Sequence, residues 1–143
     1  MNKAVKLFLR MSLALSFLSA VADRFGMWPQ EISVWGNWNN FLAYTALLNP
    51  WFPEAIIPAL GFIATAAEIL FAICLILGFK TSFFARLSGF LLLIFALSMT
   101  LSSGIKGAFD YSVFTAAAAA FALSMMKEKY LEVDSFLEKK AVH

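Results

Sequence analysis

Four apolar stretches, each about as long as a bilayer is thick, constrain this chain more than any other feature. They run over residues 7–27, 55–78, 82–102 and 108–126, close to the roughly 20 residues a helix needs to cross a hydrocarbon core. In lipid every backbone N–H and C=O has to be paired within its own segment, so each stretch is expected to be a helix. The roughly 10-residue alternation of barrel strands is missing. Composition agrees: 62% of the 143 residues are hydrophobic and 14% charged, against roughly 45–50% and about 25% in soluble domains. A soluble core of this size could not hide so much apolar surface. The expected fold is all-α: one integral membrane domain over residues 1–143, a four-helix bundle whose main partner is the lipid bilayer.

Basic residues set the expected orientation. Lys3, Lys6 and Arg10 open the first span, Lys80 and Arg86 flank the turn between the second and third, and Lys127, Lys129, Lys139 and Lys140 follow the fourth. Only Arg24 and Lys106 fall on the other side, so the positive-inside rule places both termini in the cytoplasm. Residues 28–54 then form an outer loop and residues 127–143 a cytoplasmic tail of mixed charge, read first as a solvated, topology-fixing extension. Arg10 and Arg86 are expected to snorkel to headgroups. A basic start followed by an apolar run and Ala20-Val21-Ala22 before Asp23 also matches a cleavable secretory signal. A polar stripe through the same segment favours a retained helix.

Several chemistries are excluded by residue type. The basic residues sit at helix ends rather than in a patch, which argues against nucleic acid as a partner. A single cysteine, Cys74, permits neither an internal disulfide nor a CxxC pair, and with His143 as the one histidine an ordinary zinc or haem site lacks ligands. No metal site is expected.

The informative residues are the polar ones that lipid should have excluded. Ser12, Ser16, Ser19 and Asp23 are spaced by four, three and four, one helix face turned to the bundle. Glu68 lies about ten residues from either end of its span, about 15 Å from each interface. Gly61, Ala64, Thr65 and Ala72 share its face, so Glu68 is expected to look into a close helix contact and to be protonated, hydrogen-bonded or paired. It serves either as a neutral packing group or as a ligand contact. Asp23 and Arg24 end the first span while Lys106, Asp110 and Tyr111 open the fourth, which suggests one outer polar cluster that ties helix ends or anchors a ligand. All four tryptophans, Trp28, Trp35, Trp38 and Trp51, fall in the outer loop with Asn39 and Tyr44. An aromatic belt is the default for them. Asn37 is placed to cap a short interfacial helix reaching about Leu48, ended by Pro50 and Pro53 and able to cover a cavity.

With these positions identified, the chain resembles the DoxX family of small four-helix bacterial membrane proteins, related in pattern to the DoxD subunit of thiosulfate:quinone oxidoreductase. The resemblance covers residues 9–126. It rests on Arg10, Ala22-Asp23-Arg24-Phe25-Gly26, Ala67-Glu68-Ile69, Gly78-Phe79-Lys80-Thr81, Ser88-Gly89 with its following apolar run, Gly104-Ile105-Lys106 and Asp110-Tyr111-Ser112. DoxX-like proteins more often carry a glycine-rich first helix with a lysine near its end, where this chain has serines and Asp23-Arg24. The resemblance implies a location in the bacterial cytoplasmic membrane and a role beside an oxidoreductase rather than as a stand-alone enzyme. Quinone is the cofactor it implies.

Two functions follow. In the first, the bundle binds a lipophilic small molecule of quinone type through Glu68, Asp23, Arg24, Lys106, Asp110, Tyr111, Trp35, Trp38, Asn39 and Tyr44. In the second, the chain is a non-catalytic adaptor whose tail after Lys127 recruits protein partners. Proton or solute transport through Glu68 is a third, less supported by so few polar stepping stones.

Overall fold

The computed structural model describes the backbone of residues 2–141 and the side chains of residues 2–137. The side chains of Lys139 and Lys140, used in the charge argument, and the whole of His143 lie outside the described residues. Among these the chain is all-helical. Its order is α1 (Asn2–Arg24), α2 (Trp38–Leu48), a single 3-10 turn (Glu54–Ile56), α3 (Ile57–Leu77), α4 (Thr81–Ser103), α5 (Ile105–Asp110), α6 (Val113–Met125) and α7 (Val133–Ala141).

Three helices, α1, α4 and α3 with its preceding turn, are long and apolar enough to cross a membrane. The fourth expected span is not continuous. Over residues 108–126 the helix breaks at Tyr111 and Ser112, and Ser112 takes a left-handed backbone at φ 55°. The 13 residues of α6 rise only about 20 Å at 1.5 Å each, short of the core thickness. Hydropathy is blind to this joint, because it registers composition and not backbone dihedrals.

Helix ends follow local chemistry. The Asn37 side chain accepts from Asn40 N at 2.9 Å and caps α2, as its place in the sequence implied. Pro58 opens α3, where its missing N–H is harmless. Gly78 ends α3 at φ 68°, and the Phe79 amide closes back on Cys74 O at 2.9 Å. Asp134, from the tail, caps α4 from 54 residues away: its carboxylate accepts from Lys80 N at 2.8 Å and Thr81 N at 3.2 Å.

Small residues let the helices close up. Ala14, Ala72, Ala85 and Ala120 are fully buried with Leu13, Phe17, Leu75 and Leu123 in one cluster drawn from α1, α3, α4 and α6. Gly89 of α4 accepts the Phe121 ring of α6; a Cβ there would stand 2.7 Å from it. Gly61 admits Leu42 and Phe41 in the same way, which seats α2 on α3. Around this core, Phe8, Leu15, Phe62, Ile63, Phe90, Ile94 and Leu101 are more than half exposed along the three long helices. Apolar surface on this scale is unusual for a water-facing monomer and ordinary for a lipid-facing one.

The tail is not merely solvated, and Arg10 does not snorkel. Arg10 is completely buried and donates to four backbone oxygens: Leu75 and Ile76 at the end of α3, Tyr130 and Leu131 in the tail. Glu132, 1% exposed, lies 2.7 Å from Lys6 Nζ and 3.8 Å from Arg10 Nη1. A helix leaves its last carbonyls without intrahelical partners, and a five-donor guanidinium satisfies them better than headgroup water could. Arg86 is exposed.

Candidate functional site

The sequence brings Arg24 and Glu68 together in a way their spacing conceals. Arg10 meets Leu75 and Ile76 at one end of the α1–α3 pair, so an antiparallel register sets Arg24 opposite the region of Gly61. Its side chain runs back along α3 toward Thr65, one turn or about 6 Å on, and Glu68, two turns or about 10 Å on. Arg24 Nη1 donates to Thr65 Oγ1 at 2.7 Å, and Nη2 lies 2.9 Å from both Glu68 oxygens, with the hydrogen bond made to Oε1. Arg24 is 3% exposed and Glu68 1%. Burial of both charges is tolerable only because they face each other with hydrogen bonds around them. Glu68 is thus sheltered from the exterior, as its small-residue face implied, and its partner is a cation rather than Ser or Thr hydroxyls alone.

Aromatic rings complete the housing. The Arg24 guanidinium stands 4.1 Å from the Phe41 ring centroid and 5.4 Å from that of Trp35, inside cation–π range. Trp35 in turn sits edge-on to Phe41 at 5.4 Å and against Tyr44 at 5.9 Å. Burial and the neighbouring Tyr111 hold the Tyr44 hydroxyl above its ordinary pKa, so it stays a neutral phenol.

Asp23 has a different task. Its carboxylate accepts from the Ser33 hydroxyl and from the amides of Val34 at 2.8 Å, Trp35 at 3.2 Å and Gly36 at 3.3 Å. This latch bends residues 33–36 over the end of α1 and sets Trp35 beside Arg24. Gly26 and Gly36 touch at the same bend; both have positive φ, and a Cβ on Gly26 would lie 2.9 Å from Gly36 O.

A cavity of about 410 Å³ opens from the ion pair. Its walls are Ser12, Ser16, Ala20 and Arg24 of α1, Glu68 of α3, Leu92 and Phe95 of α4, and Ser112, Thr115 and Ala119 along α6, with Trp35 at the loop end. Ser16 and Thr115 are exposed, so the opening runs sideways between α1 and α6. The size fits one small ligand and the lining is mostly apolar, the usual make-up of a small-molecule site. Three buried polar atoms on these wall residues have no hydrogen-bond partner: Arg24 Nε, Trp35 Nε1 and Glu68 Oε2. All three atoms are shut off from solvent, and Glu68 Oε2 keeps its ion-pair contact with Arg24 Nη2 at 2.9 Å.

The outer polar cluster expected from the sequence divides. Arg24 joins Glu68, Asp23 holds the loop, and Lys106 pairs with Asp110 one turn along α5, both well exposed. Among the described residues no ion pair links Asp23 or Arg24 to Lys106 or Asp110. Tyr111 is exposed. Asn39 is exposed on α2 and lines no cavity described here. Trp38 lines a second groove of about 410 Å³ with Phe25, Phe62, Ile69 and Ile73, and stacks on Phe25 at 5.7 Å. Sequence reasoning missed Glu132, Asp134 and Ser33, whose partners lie far away in the chain or in an irregular turn. No group of three or more His, Cys, Asp or Glu side chains among the described residues is placed to hold a metal ion. No family model, curated protein or solved structure matches the chain.

Proposed function

We propose that the chain is a DoxX-like protein of the bacterial inner membrane that binds a small lipophilic molecule of quinone type beside the Arg24–Glu68 pair. In this reading α1, α3, α4 and the jointed α5–α6 unit are the four crossings, with both termini cytoplasmic. The α1–α6 opening then faces acyl chains, from which a lipophile enters without passing through water. The observation that carries the reading is a mostly apolar cavity whose wall includes a buried ion pair and Trp35. Arg24 orients the head group, Glu68 bonds it or exchanges its proton, and the Asp23 latch keeps Trp35 across the loop end. Mass spectrometry of lipophiles retained by purified protein tests it. Retention of a quinone-like molecule that falls at least tenfold in Ala20→Phe, which narrows the cavity and leaves both charged residues in the sequence, is expected. An empty protein that also fails to take up added quinone refutes the proposal.

A second reading, an adaptor that recruits protein partners, draws on the tail. Glu132 and Asp134 anchor it while Leu131, Phe136 and Leu137 are at least half exposed beside them. Deleting the tail would also uncover Lys6 and Arg10, so Phe136→Ser with Leu137→Ser is the cleaner test. Unchanged co-purification of partners with that double variant counts against the adaptor.

A further inference from the structure

The cavity beside the ion pair is long and narrow. Leu9, Ser12, Ser16, Ala20 and Arg24 follow one another along its α1 wall at intervals of three or four, so every turn from Leu9 to Arg24 borders it. That stretch rises about 22 Å at 1.5 Å per residue. A volume of about 410 Å³ drawn out over such a length leaves a channel on the order of 4–5 Å across, the width of one carbon chain whose atoms stand about 3.5–4.0 Å from their neighbours. Its two ends differ. Arg24 and Trp35 close the end towards the loop, with Ser112 at the start of α6 beside them. At the far end the α1 wall is Leu9, Ser12 and Leu13, one hydroxyl between two leucines. Among the described residues Arg24 and Glu68 are the only charged ones on the wall, and they already face each other at 2.9 Å.

We propose that this cavity takes an uncharged lipophile with a single long tail, its polar end beside Arg24 and Trp35 and its tail laid along α1 to Leu9. The proposal rests on the ligand-binding reading above and adds the ligand's pose, its tail and its charge. A charged head group would give up its hydration in a mostly apolar cavity whose one cation and one anion neutralise each other, and a charge buried without a partner is strongly disfavoured. A neutral head loses less. The tail meets carbon atoms on most sides of the channel, while two tails side by side exceed its width.

Photoreactive hexadecanols map the pose. One carries a diazirine at its last carbon and the other beside the hydroxyl; each is irradiated with the purified full chain in detergent, and the adducts are located by peptide mass spectrometry. The tail-end probe is expected to label Leu9 or Leu13, and the head-end probe Ala20, Trp35 or Thr115. Plain hexadecanol should suppress both adducts at a concentration at least tenfold below that needed of hexadecyl phosphate or hexadecyltrimethylammonium. The wild-type protein alone decides the outcome, so no variant has to fold. Adducts in the reverse order, or adducts spread over outward residues such as Phe62, Phe90 and Ile94 with none in the cavity, overturn the tail placement. Equal suppression by the charged competitors overturns the neutral head. In either case a retained quinone-like molecule still upholds the ligand reading, which falls only if the protein is also empty of lipophiles and takes up none.

Discussion

Replacing Arg24 with Met isolates the interaction on which the site depends. The substitution keeps a long apolar stem against Phe41 but removes the 2.9 Å pair with Glu68, the 2.7 Å bond to Thr65 and the cation–π contact at 4.1 Å. Glu68, 1% exposed, is left without its cation. Removing one member of a buried pair costs about 3–5 kcal/mol, and the lost cation–π contact adds about 1 kcal/mol. Removing both charges is milder, because no buried charge remains uncompensated. The double variant Arg24→Met, Glu68→Met should therefore be more stable than Arg24→Met alone, with a coupling energy of at least ~2 kcal/mol. Unfolding by SDS titration in mixed micelles, followed by circular dichroism, measures all four corners of the cycle. Single losses below about 1 kcal/mol that simply add would show that the pair is solvated and would refute the reasoning.

Three further outcomes follow from described contacts. Gly78→Ala demands a left-handed alanine whose Cβ lies 2.6 Å from Glu132 Cα and 2.7 Å from Arg10 Nη2; the tail should detach, raising tryptic cleavage at Lys127 and Lys129 several-fold, and an unchanged digestion pattern refutes the clasp. Asp23→Ala frees the amides of Val34, Trp35 and Gly36 together, so their hydrogen exchange should rise as one group while that of α4 stays put; exchange confined to one amide would show that no latch exists. Asn37→Ala removes the α2 cap and should cost about 1 kcal/mol of stability, read in the same SDS titration.

The parts of this structure that were legible in the sequence are those governed by local or periodic rules. Length and apolarity identified α1, α3 and α4, Asn37 announced the start of α2, and the small residues around Glu68 announced its burial. The parts that were not legible are set by long-range partners. Arg24 and Glu68 are 44 residues apart, and Arg10 meets Tyr130 and Leu131 across 120 and 121; no periodicity spans such distances. Arg10 at the end of an apolar run reads as a snorkelling residue because composition does not reveal that the end of α3 offers it carbonyls. Asp23 beside Arg24 reads as half of one cluster, yet adjacent helical residues point about 100° apart, and here they serve a turn and an ion pair. The Ser112 joint was hidden because its neighbours are apolar enough to pass for a continuous helix.

The buried clasp of Lys6, Arg10 and Glu132 also has a meaning in time. A ribosome makes the two cations more than a hundred residues before the anion that pairs with them. During synthesis the first turns of α1 are thus strongly positive, the condition that would retain that helix end on the cytoplasmic side in the proposed orientation. Only after residue 132 has been made can Glu132 fold in and offset one of those charges. In that orientation, charges that would address the helix during insertion end as part of the seal between α1 and the tail.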